Sequence, residues 1–450
     1  MLDLLKNKPF LFYWLAGVFV YTTQFAFEFT VSLYVFDLTG SAAIFGAILG
    51  SVLIPRLLLT PLGGIIVDRY NRKFILVVSA LAGVCVLCVF GLIYGIRGDL
   101  SIPLLFALVI LLEATGIVFM NANLAILPSI VGSERLGAAN SLRVLYSELS
   151  FLIGPLLGSV LYAFTGFGAS LLSVAICFGL GCVCVLMIRV PKAEETNFSV
   201  AEKPASTLED TSPELAESVE LPEKTGWLTE FREGVQVLRL DKHLLFIAVV
   251  APFILNFFNV PVFDLVLLFF VRGTLELSAI NYGIFTALQS GLSIIVALLA
   301  GKFYTNQRAG TYVKYFSIAV ALSLGFIAVS ILIAPAVGKL TPLIITLAGC
   351  CCISALIGLF SIASNTIIQQ RVPDKKLGRV MSLNRMASLT AIPLGNSLFG
   401  VLVSTFGLLA SACIACVGVL SIFFLYRMFK LTTNSANSLT NDSANSLSDS

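Results

Sequence analysis

Three carboxylates, Glu28, Glu113 and Asp264, stand inside stretches of the chain that are otherwise almost wholly apolar. A charge at the centre of a bilayer costs at least about 2.5–3.5 kcal/mol on insertion scales, so each needs a partner or a watery cavity. Desolvation raises a carboxyl pKa, so a buried acid of this kind can bind a proton from one side of a membrane and release it to the other. Arg56 lies in a neighbouring apolar stretch, where it can neutralise Glu113 or Glu148 or attract an anion; the structural pair is the reading favoured here. Gln24, Asn256, Asn259 and Asn365 add neutral hydrogen-bonding groups in similar surroundings. Phe19, Phe25, Phe27, Phe257 and Phe258 add aromatic faces, a combination suited to an amphipathic or cationic organic compound.

The elements that must hold these residues are membrane-spanning helices. The chain is 58% hydrophobic and 12% charged, with a mean hydropathy of +0.98, whereas a soluble domain carries about 25% charged residues. Apolar runs of about 20 residues recur along it, the length a helix needs to cross a bilayer; barrel strands would be shorter and alternating. Twelve spans are expected, near 10–36, 42–66, 74–96, 103–127, 141–164, 168–189, 244–271, 279–301, 313–334, 341–367, 383–405 and 408–428. Glu113 then lies near mid-depth, since ten residues from Pro103 is about 15 Å at 1.5 Å per residue. Glu28 falls in the outer half of the first span and Asp264 toward the outer end of the seventh, with Arg56 and Glu148 nearer the cytoplasm.

Lys and Arg set the orientation. With the N-terminus inside, 24 of the 28 basic residues fall on the cytoplasmic side, Arg97, Arg272 and Lys339 in outer loops, and Arg56 within a span. By the positive-inside rule both termini are cytoplasmic. Residues 191–226 are rich in Glu, Pro, Ser and Thr and read as a disordered linker. From Trp227 to Leu240 apolar residues return at helical spacing, as in an amphipathic helix on the cytoplasmic surface. The expected domains are a six-helix bundle over 1–190, a linker with that helix over 191–243, a second six-helix bundle over 244–430 and a disordered tail over 431–450.

Between the second and third spans runs Gly64-Ile65-Ile66-Val67-Asp68-Arg69-Tyr70-Asn71-Arg72-Lys73, a G-x-x-x-D-R-x-x-R-K pattern. It resembles the signature loop of major facilitator superfamily transporters. That resemblance implies that Gly64, Asp68, Arg69, Arg72 and Lys73 act in gating, holding the two halves of the molecule together in one state. An internal repeat agrees with it: Leu136-Gly137, Ser141-Leu142 and Gly154 recur 241 residues later as Leu377-Gly378, Ser382-Leu383 and Gly395. The fold expected is therefore all-α, twelve transmembrane helices in two pseudo-symmetric six-helix bundles with the site between them near midplane.

Leu377-Gly378-Arg379-Val380-Met381-Ser382-Leu383, with Pro393-Leu394-Gly395 and Gly400, looks like the macrolide-efflux and siderophore-exporter branch. So do the Thr39-Gly40-Ser41-Ala42 turn and the 227–240 stretch. The resemblance implies a proton-coupled exporter working by alternating access, usually a monomer, in a bacterial inner membrane. Its partners would be a small-molecule substrate, protons and the lipid bilayer. Gly154, Pro155 and Gly158 in the fifth span resemble the end of the antiporter motif of drug exporters, without its upstream glycines; a helix bend with close packing is the favoured reading. Family members often carry an arginine in the middle of the fourth span, linked to proton coupling, and the matching position here is Glu113.

Other classes fare poorly. No P-loop, H-E-x-x-H or G-x-S-x-G element occurs, so an enzyme is not expected. The short outer loops offer a receptor little surface, and the balance of charge gives no support to nucleic-acid binding. The ten cysteines all fall in apolar spans and His243 is the sole histidine, so neither a metal nor any other cofactor is expected. Within transport, a lipid or lysophospholipid flippase with a lateral opening lined by Arg56 and aromatics remains the alternative.

Overall fold

A computed structural model describes residues 2–132, 135–188, 232, 235–236, 238–239, 241–302 and 309–448. Side chains are described except at 2, 60–61, 63–65, 68, 296–302, 309–314, 374–375 and 426–448. The described residues are helical and contain no β-strand. Helix α1 is Lys8–Thr39 and α2 covers 42–69, as Ala42–Ser51 and Leu53–Arg69 meeting at Val52. Helix α3 is Arg72–Arg97 and α4 is Ile102–Val131. Helices α5 (136–165) and α6 (167–187) are the two parts of Leu136–Met187. The second half holds α7 (Lys242–Thr274), α8 (Ala279–Lys302), α9 (Ala309–Ile333) and α10 (Leu340–Arg371). Helices α11 (374–406) and α12 (408–448) divide Asp374–Ser448.

A straight 52-residue helix would run about 78 Å, more than twice the thickness of a bilayer core. The chain instead reverses at Gly166, with φ 72° and ψ 178°, and again at Gly407, with φ 82° and ψ 175°. That backbone region is open essentially to glycine alone. The two reversals are 241 residues apart, the same interval as the sequence repeat. Ser170 Oγ donates to Gly166 O at 2.6 Å, and its counterpart Ser411 Oγ donates to Gly407 O at 2.8 Å. Ser141 Oγ to Gly137 O, at 3.1 Å, and Ser382 Oγ to Gly378 O, at 2.9 Å, form a second matched pair. The repeat is thus structural as well as textual.

Gly154 and Gly395 show why that interval matters. A Cβ on Gly154 would overlap Phe25 of α1, and one on Gly395 would overlap the carbonyl of Phe257 of α7. In each half the fifth helix therefore presses its backbone against the first. Gly158 continues the seam on α5: its added Cβ would lie 3.2 Å from Ala26 Cα, and its carbonyl accepts from Thr30 Oγ1 at 3.4 Å. Small residues let membrane helices pack by close van der Waals contact where lipid offers no hydrophobic gain.

The halves meet at the end where α1 turns into α2. Arg272 Nη2 of α7 pairs with Asp37 Oδ1 of α1 at 2.5 Å. Ser404 Oγ of α11 accepts from the backbone N–H of Ala43 at 2.8 Å. Phe29 stacks on Tyr282 with ring centres 5.0 Å apart, and Phe36 and Phe45 both edge against Phe269. Gly46 brings α2 against Gly400 of α11, where an added Cβ would lie 2.7 Å from Cα. Away from this closed end Glu28, Arg385 and Met386 remain exposed, so the space between the halves opens toward the end that carries the N-terminus.

Several expectations need adjustment. The backbone of 431–448 is helical, where its low-complexity composition predicts no regular structure; extending an existing helix is far less costly than nucleating one. Helix α11 begins at Asp374, ahead of the expected span start at 383, so the Leu377–Leu383 block forms its opening turns. Of the 227–240 stretch, residues 232, 235–236 and 238–239 are helical and Leu238 is buried. The rest of it, and the 191–226 linker, lie outside the described residues.

Candidate functional site

Helices α1, α2, α4 and α7 bring the four charged candidates to one region. Arg56 sits one turn into the second segment of α2, three residues after its start at Leu53 and four after the N-cap Val52. Its Nε donates to Glu113 Oε1 of α4 at 2.6 Å, with side-chain exposures of 24% and 9%. A carboxylate this buried is held by its charge-assisted hydrogen bond, and removing either partner would strand the other. Arg56 pairs here with Glu113 and not with Glu148, which is exposed on α5.

Glu28 differs. It lies 20 residues into α1, surrounded by protein and within electrostatic reach of Glu113, Arg56 and Asp264, yet it is exposed to solvent. It therefore lines a water-accessible cavity. Gln24, one turn earlier on the same face, rests against Gly116, where a Cβ would lie 3.3 Å from its Oε1. Gly116 is one turn beyond Glu113 on α4, so Gln24 packs this face of α1 against the helix that carries the ion pair.

Asp264 completes the set from the second half. Pro261 cannot donate a backbone hydrogen bond, and the helix widens into a π-type turn over Val262–Val266 that contains Asp264. Asn396 Nδ2 of α11 donates to Asp264 Oδ2 at 3.0 Å. The buried Tyr282 ring stands within electrostatic reach of Asp264 and stacks on Phe29, the neighbour of Glu28. Neither Asn396 nor Tyr282 was singled out in the sequence, where each resembles an ordinary helix residue; only the packing of α8 and α11 on α7 reveals them.

The neutral candidates divide. Asn256 Nδ2 donates to the Pro252 carbonyl of its own helix at 2.8 Å. Asn259 is buried, and its Oδ1 has no hydrogen-bond partner among the described residues. Asn365 is half-buried on α10. A polar node not anticipated joins α1, α4 and α5: the Tyr13 and Tyr146 hydroxyls each donate to Asn123 Oδ1 at 2.9 Å.

In the loop after α2, Arg72 Nη1 donates to Ser129 Oγ at 3.2 Å and Lys73 Nζ to the Leu186 carbonyl at 2.9 Å. Both contacts tie α3 to the ends of α4 and α6 within one half. Arg69 is exposed. Gly64 and Asp68 lie on the backbone of α2, and their side chains are outside the described residues. Gly154, Pro155 and Gly158 are on α5; the glycines serve the α1 seam, and Pro155 adjoins the α8 contact at Gly283. Among the described residues, no group of three His, Cys, Asp or Glu is placed to hold a metal ion.

Comparison with known proteins fits this architecture. The family model described as Major Facilitator Superfamily matches residues 13–396. The chain is 22% identical over 418 residues to a macrolide efflux protein A of Streptococcus pyogenes, covering 88% of this chain and 91% of that one. It is 24% identical over 372 residues to the enterobactin exporter EntS of Salmonella paratyphi A, covering 81% and 78% respectively. Among solved structures, the nucleoside transporter NupG superposes with a TM-score of 0.67 at 13% identity, covering 94% of this chain and 98% of that chain. A bacterial homologue of the iron transporter ferroportin gives 0.64 at 17% identity, over 94% and 98%. With the family model spanning most of the sequence and the same helical architecture in solved transporters, the chain belongs to the Major Facilitator Superfamily and is a multi-pass membrane transporter, not an enzyme.

Proposed function

We propose that this protein is a proton-coupled exporter of an amphipathic organic compound, working by alternating access in a bacterial cytoplasmic membrane. The observation that carries the reading is the contrast between the acids of the cavity. Glu113 is neutralised by Arg56, whereas Glu28 is enclosed by protein, open to water and free of any basic partner within ion-pair distance among the described residues. A solvated acid in a low-dielectric wall is suited to bind either a proton or a cationic group, and that competition couples the two flows.

Asp264, held by Asn396 on the opposite wall, offers a second acceptor, and Phe29 with Tyr282 an aromatic floor. The N-terminal end is assigned to the cytoplasm by its Lys and Arg, so the cavity faces inward in this state, as an exporter's must when it loads. The likeness to macrolide and enterobactin exporters supports the direction of transport and a bulky organic substrate. The gating role of Asp68, Arg69 and Arg72 belongs to the alternative state, in which that end would close.

The test is uptake into inside-out proteoliposomes with an acidic interior, over a macrolide, a lipophilic cation, a catecholate siderophore and a lysophospholipid. Gradient-dependent accumulation of one of the first three, abolished by a protonophore, is expected. Movement of the lysophospholipid alone would favour a flippase, and indifference to the gradient would overturn proton coupling.

A further inference from the structure

The ends of three helices of the first half enclose a cavity that takes no part in the proposed transport path. Its volume is about 660 Å³, within the roughly 300–1,000 Å³ of small-ligand sites. The start of α3 contributes Tyr70 to Lys73, α4 contributes Ile126 and Ser129, and Ile188 follows α6. Ile126 and Ile188 are buried and form an apolar floor, whereas Tyr70, Asn71, Arg72 and Ser129 are exposed. Arg72 Nη1 donates to Ser129 Oγ at 3.2 Å and Lys73 Nζ to the Leu186 carbonyl at 2.9 Å, so neutral acceptors hold both cations at the wall. Among the described residues, no carboxylate lines the cavity and neither cation is in an ion pair.

A guanidinium carries five N–H donors and an ammonium three, and the described acceptors take one hydrogen bond from each. Both groups therefore keep donors for the oxygens of an anion. Helix α3 has 26 residues and a length of about 39 Å. That exceeds the roughly 30 Å hydrocarbon core of a bilayer and puts its first turn at headgroup depth. This is the end that carries the N-terminus, assigned by its Lys and Arg to the cytoplasmic leaflet, where basic pockets between helices meet anionic headgroups. From the cavity toward the bilayer centre, Phe74, Val78 and Leu81 are exposed on α3, and Leu186, Val183 and Leu180 on α6. The two helices pack directly, since a Cβ on Gly83 would lie 2.7 Å from the Phe178 ring.

We propose that this cavity binds the phosphate of an anionic phospholipid of the inner leaflet, with Arg72 and Lys73 as its ligands. The planar fork of Arg72 matches two phosphate oxygens, and Lys73 adds a point charge. The acyl chains lie on the exposed apolar faces of α3 and α6. A soluble anion would meet the same cations and leave those faces unused; a lipid uses both. The bound phosphate joins the start of α3 to the ends of α4 and α6 through the two cations that already touch them. All of these groups belong to one half, so the site stands whether or not Glu28 couples transport to protons.

Binding of radiolabelled phosphatidylglycerol to the purified full chain, in mixed micelles of detergent and phosphatidylcholine, tests the site. The wild type should hold about one saturable lipid per chain. Unlabelled phosphatidylglycerol should displace it, and equal concentrations of phosphatidylcholine or glycerol 3-phosphate should not. Arg72→Gln and Lys73→Gln should each weaken binding about fivefold, the worth of one basic residue near an anionic surface. Ser129→Glu brings a carboxylate to Arg72 from within the chain and should weaken binding at least as much. Lys6→Gln removes an exposed cation outside the cavity and should bind as the wild type does. Should Arg72→Gln fail to fold, Lys73→Gln and Ser129→Glu decide. Displacement by glycerol 3-phosphate as strong as by the lipid would put a soluble anion in the site and overturn the lipid assignment. No saturable lipid on the wild type, cavity variants that bind normally, or an equal loss in Lys6→Gln would overturn the site itself.

Discussion

Arg56 Nε lies 2.6 Å from Glu113 Oε1, joining α2 to α4 in a nearly buried ion pair. At the depth where related transporters often carry an arginine on the fourth helix, this chain places the acid there and supplies the guanidinium from the second. The pair is neutral as a unit, which lets both charges lie within the bilayer without a separate counter-ion for each.

Breaking that pair from one side should be costly. Glu113→Ala leaves Arg56 buried and unpaired, and a loss of about 3–5 kcal/mol is expected for a fully buried pair, with less here because Arg56 retains some exposure. The double variant Arg56→Met/Glu113→Leu should recover most of the loss. Unfolding midpoints of the two single variants and the double variant in detergent check this; a double variant as unstable as the two losses summed would contradict it.

The two chain reversals should respond alike. Gly166→Ala and Gly407→Ala each force a side chain into a backbone region open to glycine, at a cost of about 1–3 kcal/mol. Both should lower the melting temperature by comparable amounts, since both sit at the same place in a duplicated unit. Wild-type melting of either variant would show that the reversal does not need its glycine.

At the closed end Asp37 is held from two sides, by Arg272 at 2.5 Å and by the Tyr162 hydroxyl at 2.7 Å. Arg272 also donates to the Leu277 carbonyl at 3.0 Å and lies 5.6 Å from the centre of the Phe36 ring. Asp37→Asn should weaken the contact between halves and populate the state open at this end. In a background without native cysteines, a cysteine placed at the buried Ala42 should label faster with an impermeant maleimide, roughly five- to tenfold for a bias of about 1–1.4 kcal/mol. Unchanged labelling would mean the apolar stacks hold this end closed without the ion pair.

Much of this was readable from residue order. The length and polarity of the spans give the helices, and the recurrence of Gly154 as Gly395 gives the duplication. Glu28, Glu113 and Asp264 stood out because acids are expensive in apolar stretches. The choice of Glu113 over Glu148 as the partner of Arg56 was not readable, because it depends on the rotation of α2 and α4 about their axes. Asp37 and Arg272 at span ends look like ordinary interfacial charges until the halves are packed together. Asn396 became relevant only through the widened turn that sets Asp264 against α11. Pairings that cross the two halves carry no periodic signal, since nothing in a local pattern specifies which distant helix will face it.

The most direct test of the central claim is proton-driven uptake by Glu28→Gln in inside-out proteoliposomes with an acidic interior. The substitution keeps the shape of the side chain and removes its charge. The account predicts that the variant folds, still exchanges substrate down its own gradient, and no longer accumulates substrate when the proton gradient is applied. Accumulation equal to that of the wild type, collapsing with a protonophore in the same way, would contradict it and move the coupling to Asp264 or elsewhere.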